Sequence, residues 1–133
     1  MNPDPTRPVD GLVDTFADQW LELGDPAIGE ALVADPILVL GPSGTSAIPR
    51  TAFLSAVASR ASAVDDLGQA TTTLAGSTSV ALGDRMVLAT ITWSFRHGDS
   101  TRELISDFLL ERRDDGLRCV AYLPRTNVMD TLT

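Results

Sequence analysis

Apolar positions along this chain keep a helical period at first, turn into a short unbroken run, and end in strict alternation. Val9, Leu12, Phe16, Trp20 and Leu23 form one stripe, with Asp10, Asp14, Asp18 and Glu22 on the opposite side. This predicts a first helix from about Pro8 to Leu23, opened by Pro8 and stopped by Gly24. Asp25-Pro26 restarts the helix, because Asp25 can cap and proline suits the first helical position. A short second helix is expected from about Pro26 to Ala34, broken by Asp35-Pro36, since the residue before proline disfavours helix. Ile37-Leu38-Val39-Leu40 reads as a strand buried on both faces, and Gly41-Pro42-Ser43-Gly44 as a turn. Phe53, Val57, Ala61 and Val64 mark a third helix from about Pro49 to Val64.

The second half alternates with period two. Residues 69–81 do so weakly, with Thr72, Leu74, Thr78 and Val80 on one side and Gly76 at a bulge or bend. Residues 85–97 do so clearly: Val87, Ala89, Ile91, Trp93 and Phe95 face one way, Met86, Leu88, Thr90, Thr92 and Ser94 the other. Two more strands are expected at 101–113 and 117–125. Gly83-Asp84, Gly98-Asp99 and Asp115-Gly116 supply the hairpin turns. The expected fold is α+β: three N-terminal helices packed on a curved, mainly antiparallel sheet, cone-shaped, with a space between helices and sheet. The last three strands carry apolar residues on both faces. The face away from the helices needs cover, which predicts a homodimer through the outer sheet face.

Length and composition bound the organisation. The 133 residues suit one domain, expected over 8–128 between tails at 1–7 and 129–133. All ten basic residues are Arg, so Schiff-base chemistry and a P-loop lysine are excluded. One Cys, Cys119, and one His, His97, exclude an intrachain disulfide and any multi-His or multi-Cys metal site. No metal and no cofactor are expected. The net charge of −8 argues against a nucleic-acid groove and against an anionic membrane surface. The cluster of Arg112, Arg113 and Arg118 reads as a solvated surface. No secretory signal and no apolar run of membrane-spanning length is visible, so a cytoplasmic location is expected.

Phe16-Ala17-Asp18-Gln19-Trp20-Leu21-Glu22-Leu23-Gly24-Asp25, then Leu32-Val33-Ala34-Asp35-Pro36, and the hairpin from Phe108 to Tyr122 carry a resemblance. The chain resembles the nuclear transport factor 2-like superfamily, a cystatin-like α+β roll that includes ketosteroid isomerase and the SnoaL-like polyketide cyclases. The resemblance covers roughly residues 8–128 and implies a small-molecule pocket. It also implies cofactor-independent isomerisation, dehydration, cyclisation or hydrolysis of a mostly apolar substrate. The isomerase pattern is mostly absent. Its general-base aspartate would fall at Gly41, its oxyanion tyrosine at Ala17 and a neighbouring tyrosine near Ala58. Only its hydrogen-bond-donating aspartate finds a match, at Asp107.

Asp107 and Tyr122 are therefore the candidate catalytic residues, the first as acid or base and the second as a hydrogen-bond donor. The resemblance turns Asp107 inward, whereas the apolar set Leu104, Phe108 and Leu110 would leave it outside. Tyr122 reads either as core or as a ligand donor. Phe16, Trp20, Phe53, Val57, Ile91, Trp93 and Val120 are the candidate pocket lining. The expected ligand is small and apolar or oxygen-bearing. The rival reading is a non-catalytic dimeric binding or interaction module of the same fold. Of the remaining polar candidates, His97 reads as an exposed turn residue, Asp35 as a turn former and Arg50 as a surface residue. Cys119 reads as a small buried hydrophobe.

Overall fold

The computed structural model describes residues 9–41, 44–66, 68, 70–114 and 116–125. Both expected tails lie outside these residues, as do residues 8 and 126–128 of the expected domain and Pro42, Ser43 and Asp115 of the expected turns. The described chain forms α1 (Val9–Trp20), α2 (Pro26–Leu32), β1 (Val33–Gly41), β2 (Gly44–Ile48) and α3 (Arg50–Asp65). Four long strands follow: β3 (Ala70–Leu82), β4 (Met86–His97), β5 (Ser100–Arg113) and β6 (Gly116–Pro124). The six strands make one open, mixed sheet in the order β2-β1-β6-β5-β4-β3, parallel only between β1 and β6. The α+β expectation holds: three helices lie on a mainly antiparallel sheet.

Local chemistry explains most boundaries. The Asp25 side chain accepts from the Ala27 N–H at 2.9 Å and caps α2, with Pro26 in the first turn. α1 ends at Trp20, earlier than Leu23, and irregular turns carry the chain to Asp25. The backbone turns extended already at Val33, so Asp35 and Pro36 lie inside β1. Asp35 is thus a strand residue and not a turn former; its side chain accepts the first N–H of α3, from Arg50, at 3.0 Å. Arg50 is half-buried, not a free surface residue, and reaches the Val33 carbonyl at 3.4 Å. β2 escapes the sequence pattern because Gly44-Thr45-Ser46-Ala47-Ile48 has no apolar alternation. Its order comes from pairing with β1, Ile37 opposite Ile48.

Two expected faces need correction. β1 is buried on one face only, for Ile37 is sealed while Leu38 stands 43% exposed. In β3 the register shifts between Leu74 and Gly76. Before the shift, Thr72 and Leu74 oppose Phe95 and Trp93; after it, Ser77, Ser79 and Ala81 oppose Ile91, Ala89 and Val87. The bulge reverses the side-chain parity, so Thr78 and Val80 face outward instead of sharing a side with Leu74. Along α3, Phe53 is buried and Val57 half-buried, whereas Ala61 is exposed; the side chain of Val64 lies outside the described residues.

The core lies between the helices and the inner sheet face. Val13, Phe16 and Ala17 of α1 meet Val87, Ala89, Ile91, Trp93 and Phe95 of β4 with Leu104, Phe108 and Leu110 of β5. Among the described residues no helix is long and apolar enough to cross a membrane.

Candidate functional site

The inner face of β5 and β6 carries an aromatic cluster. Phe108 and Tyr122 are paired in register and their rings stack with centroids 5.3 Å apart. Trp20 of α1 meets Phe108 edge-on at 4.8 Å and Tyr122 at 5.3 Å. Phe16 joins from α1, 5.3 Å from Phe108, and Phe53 from α3, 5.9 Å from Tyr122. Offset and edge-to-face contacts of this kind suit the ring quadrupoles. Helical spacing places Phe16 and Trp20 on one stripe of α1, and the period of two places Phe108 on the inner face of β5. Trp20 is only half-buried, so the cluster reaches solvent there.

Five of the seven expected lining residues therefore stand together on the inner side with Tyr122: Phe16, Trp20, Phe53, Ile91 and Trp93. Val57 packs against them from α3. Val120 departs from expectation. The β5–β6 register runs Leu109 opposite Ala121 and then Leu110 opposite Cys119, leaving Val120 at the irregularity. That extra residue is why Cys119 and Tyr122, three apart, are both buried. Burial pushes the Cys119 thiol well above its ordinary range, and its Sγ donates to the Ala121 carbonyl at 3.3 Å.

Asp107 stands on the other face. Ser106, Phe108 and Leu110 oppose Ile91, Ala89 and Val87 on the inner side, so Asp107, opposite Thr90 and Leu123, faces outward. The apolar count along β5 thus decides against the inward placement that the resemblance implied. Asp107 is nevertheless buried, because its carboxylate is covered by partners. Arg125 Nε donates to Oδ2 at 2.5 Å and Arg125 Nη2 to Oδ1 at 3.0 Å, while the Thr90 hydroxyl donates to Oδ1 at 2.6 Å. Burial works to raise this carboxyl's pKa. The hydrogen bonds from Arg125 and Thr90, with the Arg125 charge, outweigh it and hold the group below its ordinary value. Asp107 and Tyr122 are on opposite sides of the sheet and do not converge on one substrate.

Other polar residues also differ from their sequence reading. Arg112 is buried, not part of a solvated cluster, since its parity in β5 matches that of Phe108 and Leu110. His97 closes β4 half-buried instead of lying exposed in a turn. Sequence reasoning passed over Ser106, which is 4% exposed on the inner face one residue from Asp107. The parity of β5 was the available signal. It also passed over Arg125, which no periodicity marks. Among the described residues no group of three His, Cys, Asp or Glu side chains could hold a metal ion.

No family model and no curated protein matches the chain. Solved structures do match it in fold. An NTF2-like protein of unknown function from Pseudomonas putida superposes with a TM-score of 0.67 at 15% identity, covering 94% of this chain and 92% of that one. An NTF2-like protein of unknown function from Shewanella oneidensis gives 0.61 at 16%, covering 90% and 98%. An NTF2-like protein with a cystatin-like fold from Novosphingobium aromaticivorans gives 0.60 at 12%, covering 93% and 84%. At these identities the likeness establishes the fold and leaves the activity to the residues.

Proposed function

We propose that this chain, which has the nuclear transport factor 2-like fold, is a non-catalytic homodimeric module that holds a small, mostly apolar ligand between its helices and its sheet. One observation carries the choice between enzyme and binding module. Acid–base turnover needs two groups acting on one substrate, and the sheet separates Asp107 from Tyr122. Asp107 is moreover occupied, with Arg125 and Thr90 on its carboxylate oxygens. Tyr122 remains within the aromatic cluster, 6% exposed, beside Phe108, Trp20 and Phe53. Rings with one polar handle suit an apolar ligand that bears oxygen.

The outer sheet face supports the dimer. Val80, Leu88, Leu109, Ala121, Leu38 and Ala47 stand opposite one another in register, one from each strand, and form an apolar row across all six strands. Val80 is 59% exposed and Leu88 41%. A monomer gains nothing from an apolar row this long in water. A second copy offers the same row and can cover it about a two-fold axis. The net charge of −8 disfavours nucleic acid as the occupant of this face.

The deciding experiment is sedimentation equilibrium at micromolar protein, with Leu88→Arg as the variant. The unaltered chain is expected to sediment as a dimer and the variant as a folded monomer. A monomeric native chain would remove the dimer from this proposal and leave only the ligand site.

A further inference from the structure

The open sheet has two edges, β2 and β3, and they differ. β2 has five residues and is followed by Pro49, and both features blunt an edge. β3 has thirteen residues, none of them buried. Edge strands are normally guarded by charge, proline or shortness, and β3 has none of the three in a chain that is 21% charged. The bulge between Leu74 and Gly76 interrupts the edge once. Beyond it, residues 77–82 pair one for one with β4 and make a regular stretch of ordinary strand length. On the other side of that stretch no strand lies among the described residues.

An edge backbone recognises an extended chain, because only a strand can align its N–H and C=O groups with the open row. The charge beside the edge selects which chain. Ser77 donates to the Asp14 carboxylate of α1 at 2.8 Å, so this acid stands over the inner side of β3. Asp18 follows one helical turn later on the same side of α1, and both acids are exposed. An added strand would lie about 4.8 Å beyond β3, and its helix-facing side chains, at every second position, come within reach of Asp14. Arg85, at the turn after β3, reaches Glu111 at 3.5 Å instead. A second copy paired through its own β3 would set Asp14 and Asp18 against the same acids about a two-fold axis, in chains of −8 each, which disfavours self-pairing.

We propose that the free edge of β3 over residues 77–82 is a docking site for an extended, basic segment of a partner protein, added as a further strand with Lys or Arg at alternate positions facing α1. Main-chain hydrogen bonds supply affinity with little sequence requirement, and the uncharged edge leaves the acids of α1 to set the sign of the partner. The outer-face dimer and a ligand between helices and sheet both leave this edge open, so the site is independent of either.

Fluorescence anisotropy with a labelled, end-capped peptide of about ten residues, Lys alternating with Val and Thr, tests this together with amide hydrogen exchange. The native protein is expected to bind it at least about tenfold more tightly than the same peptide with Glu for Lys. Asp14→Asn combined with Asp18→Asn should weaken the Lys peptide several-fold. Asn keeps an oxygen for the Ser77 hydroxyl, so the helix–sheet contact survives. On binding, exchange should slow at the amides of residues 77–82 and stay unchanged in β2. No binding of the Lys peptide, equal affinity for the Glu peptide, an unchanged affinity in the double variant, or protection that falls outside β3 overturns the proposal. So does protection of β3 in the protein alone that grows with its concentration, which assigns the edge to a second copy.

Discussion

Asp107 shows how a single residue's role turns on which side of a strand it occupies. On the inner face it would be an acid–base group; on the outer face it is half of an ion pair with Arg125, whose side chain is 54% exposed. Partial exposure keeps the pair's contribution modest, and Asp107→Asn is expected to cost about 1 kcal/mol at neutral pH in urea unfolding. The pH dependence follows from the direction of its shift. The carboxyl titrates lower in the folded chain than in the unfolded one, whose ordinary value is 3.8. Its stabilising contribution is thus fully present above about pH 4 and is lost as pH falls through the lower, folded value. Urea unfolding between pH 6 and pH 2.5 should show a steeper acid loss for the native chain than for Asp107→Asn. A parallel pair of curves would contradict the assigned ion pair. The same substitution should leave binding of a ligand on the inner face unchanged, since the sheet lies between them.

At the scale of elements, the contact between α2 and α3 depends on a missing side chain. A Cβ built on buried Gly29 would lie 2.8 Å from Leu54 Cδ1 and 2.9 Å from Cδ2. Gly29→Ala would gain about 0.5–1 kcal/mol of helix propensity but must displace Leu54, a half-buried packing residue. The single variant is expected to be destabilised by about 1 kcal/mol, and in a Leu54→Ala background the same change should become stabilising. A double-mutant cycle by thermal or urea unfolding reads this sign reversal directly. The β3 bulge is a second device at this scale. By reversing parity after Leu74 it sends Val80 outward and brings Ser77 inward, where its hydroxyl donates to Asp14 of α1 at 2.8 Å. An apolar residue is thereby exposed and a polar one used at the helix–sheet contact. That exchange favours an interface on the outer face.

For the whole molecule, the balance is between the apolar row and the charge. Two copies carrying −8 each repel, and salt screens that repulsion while leaving apolar burial intact. The dimer is therefore expected to tighten as ionic strength rises from about 50 to 500 mM, with a Debye length shrinking from roughly 14 to 4 Å. Sedimentation equilibrium at the two salt concentrations measures it. Weakening with salt would mean that ion pairs, not the row of Val80, Leu88 and Leu109, hold the subunits together.

The sequence by itself determined three helices, a strand through Ile37 and the four long strands, to within a few residues at each end. These follow from local rules: helical spacing at Phe16 and Trp20, caps and prolines at Asp25-Pro26, and alternation from Val87 to Phe95. It also bounded the chemistry by counting, since no lysine and one histidine leave few mechanisms. Only the tertiary structure decided what depends on a partner distant in sequence. β2 is ordered by β1; Thr90 of β4 and Arg125 just beyond β6 reach Asp107; a one-residue shift in β3 and another near Val120 exchange inside and outside. The physical reason is the strand period of two. Alternation gives the two faces of a strand but not which one meets the helices, and one bulge inverts every position beyond it. Asp107 and Ser106 are adjacent in the chain, and the pleat of β5 alone sends one to an ion pair outside and the other to the aromatic interior.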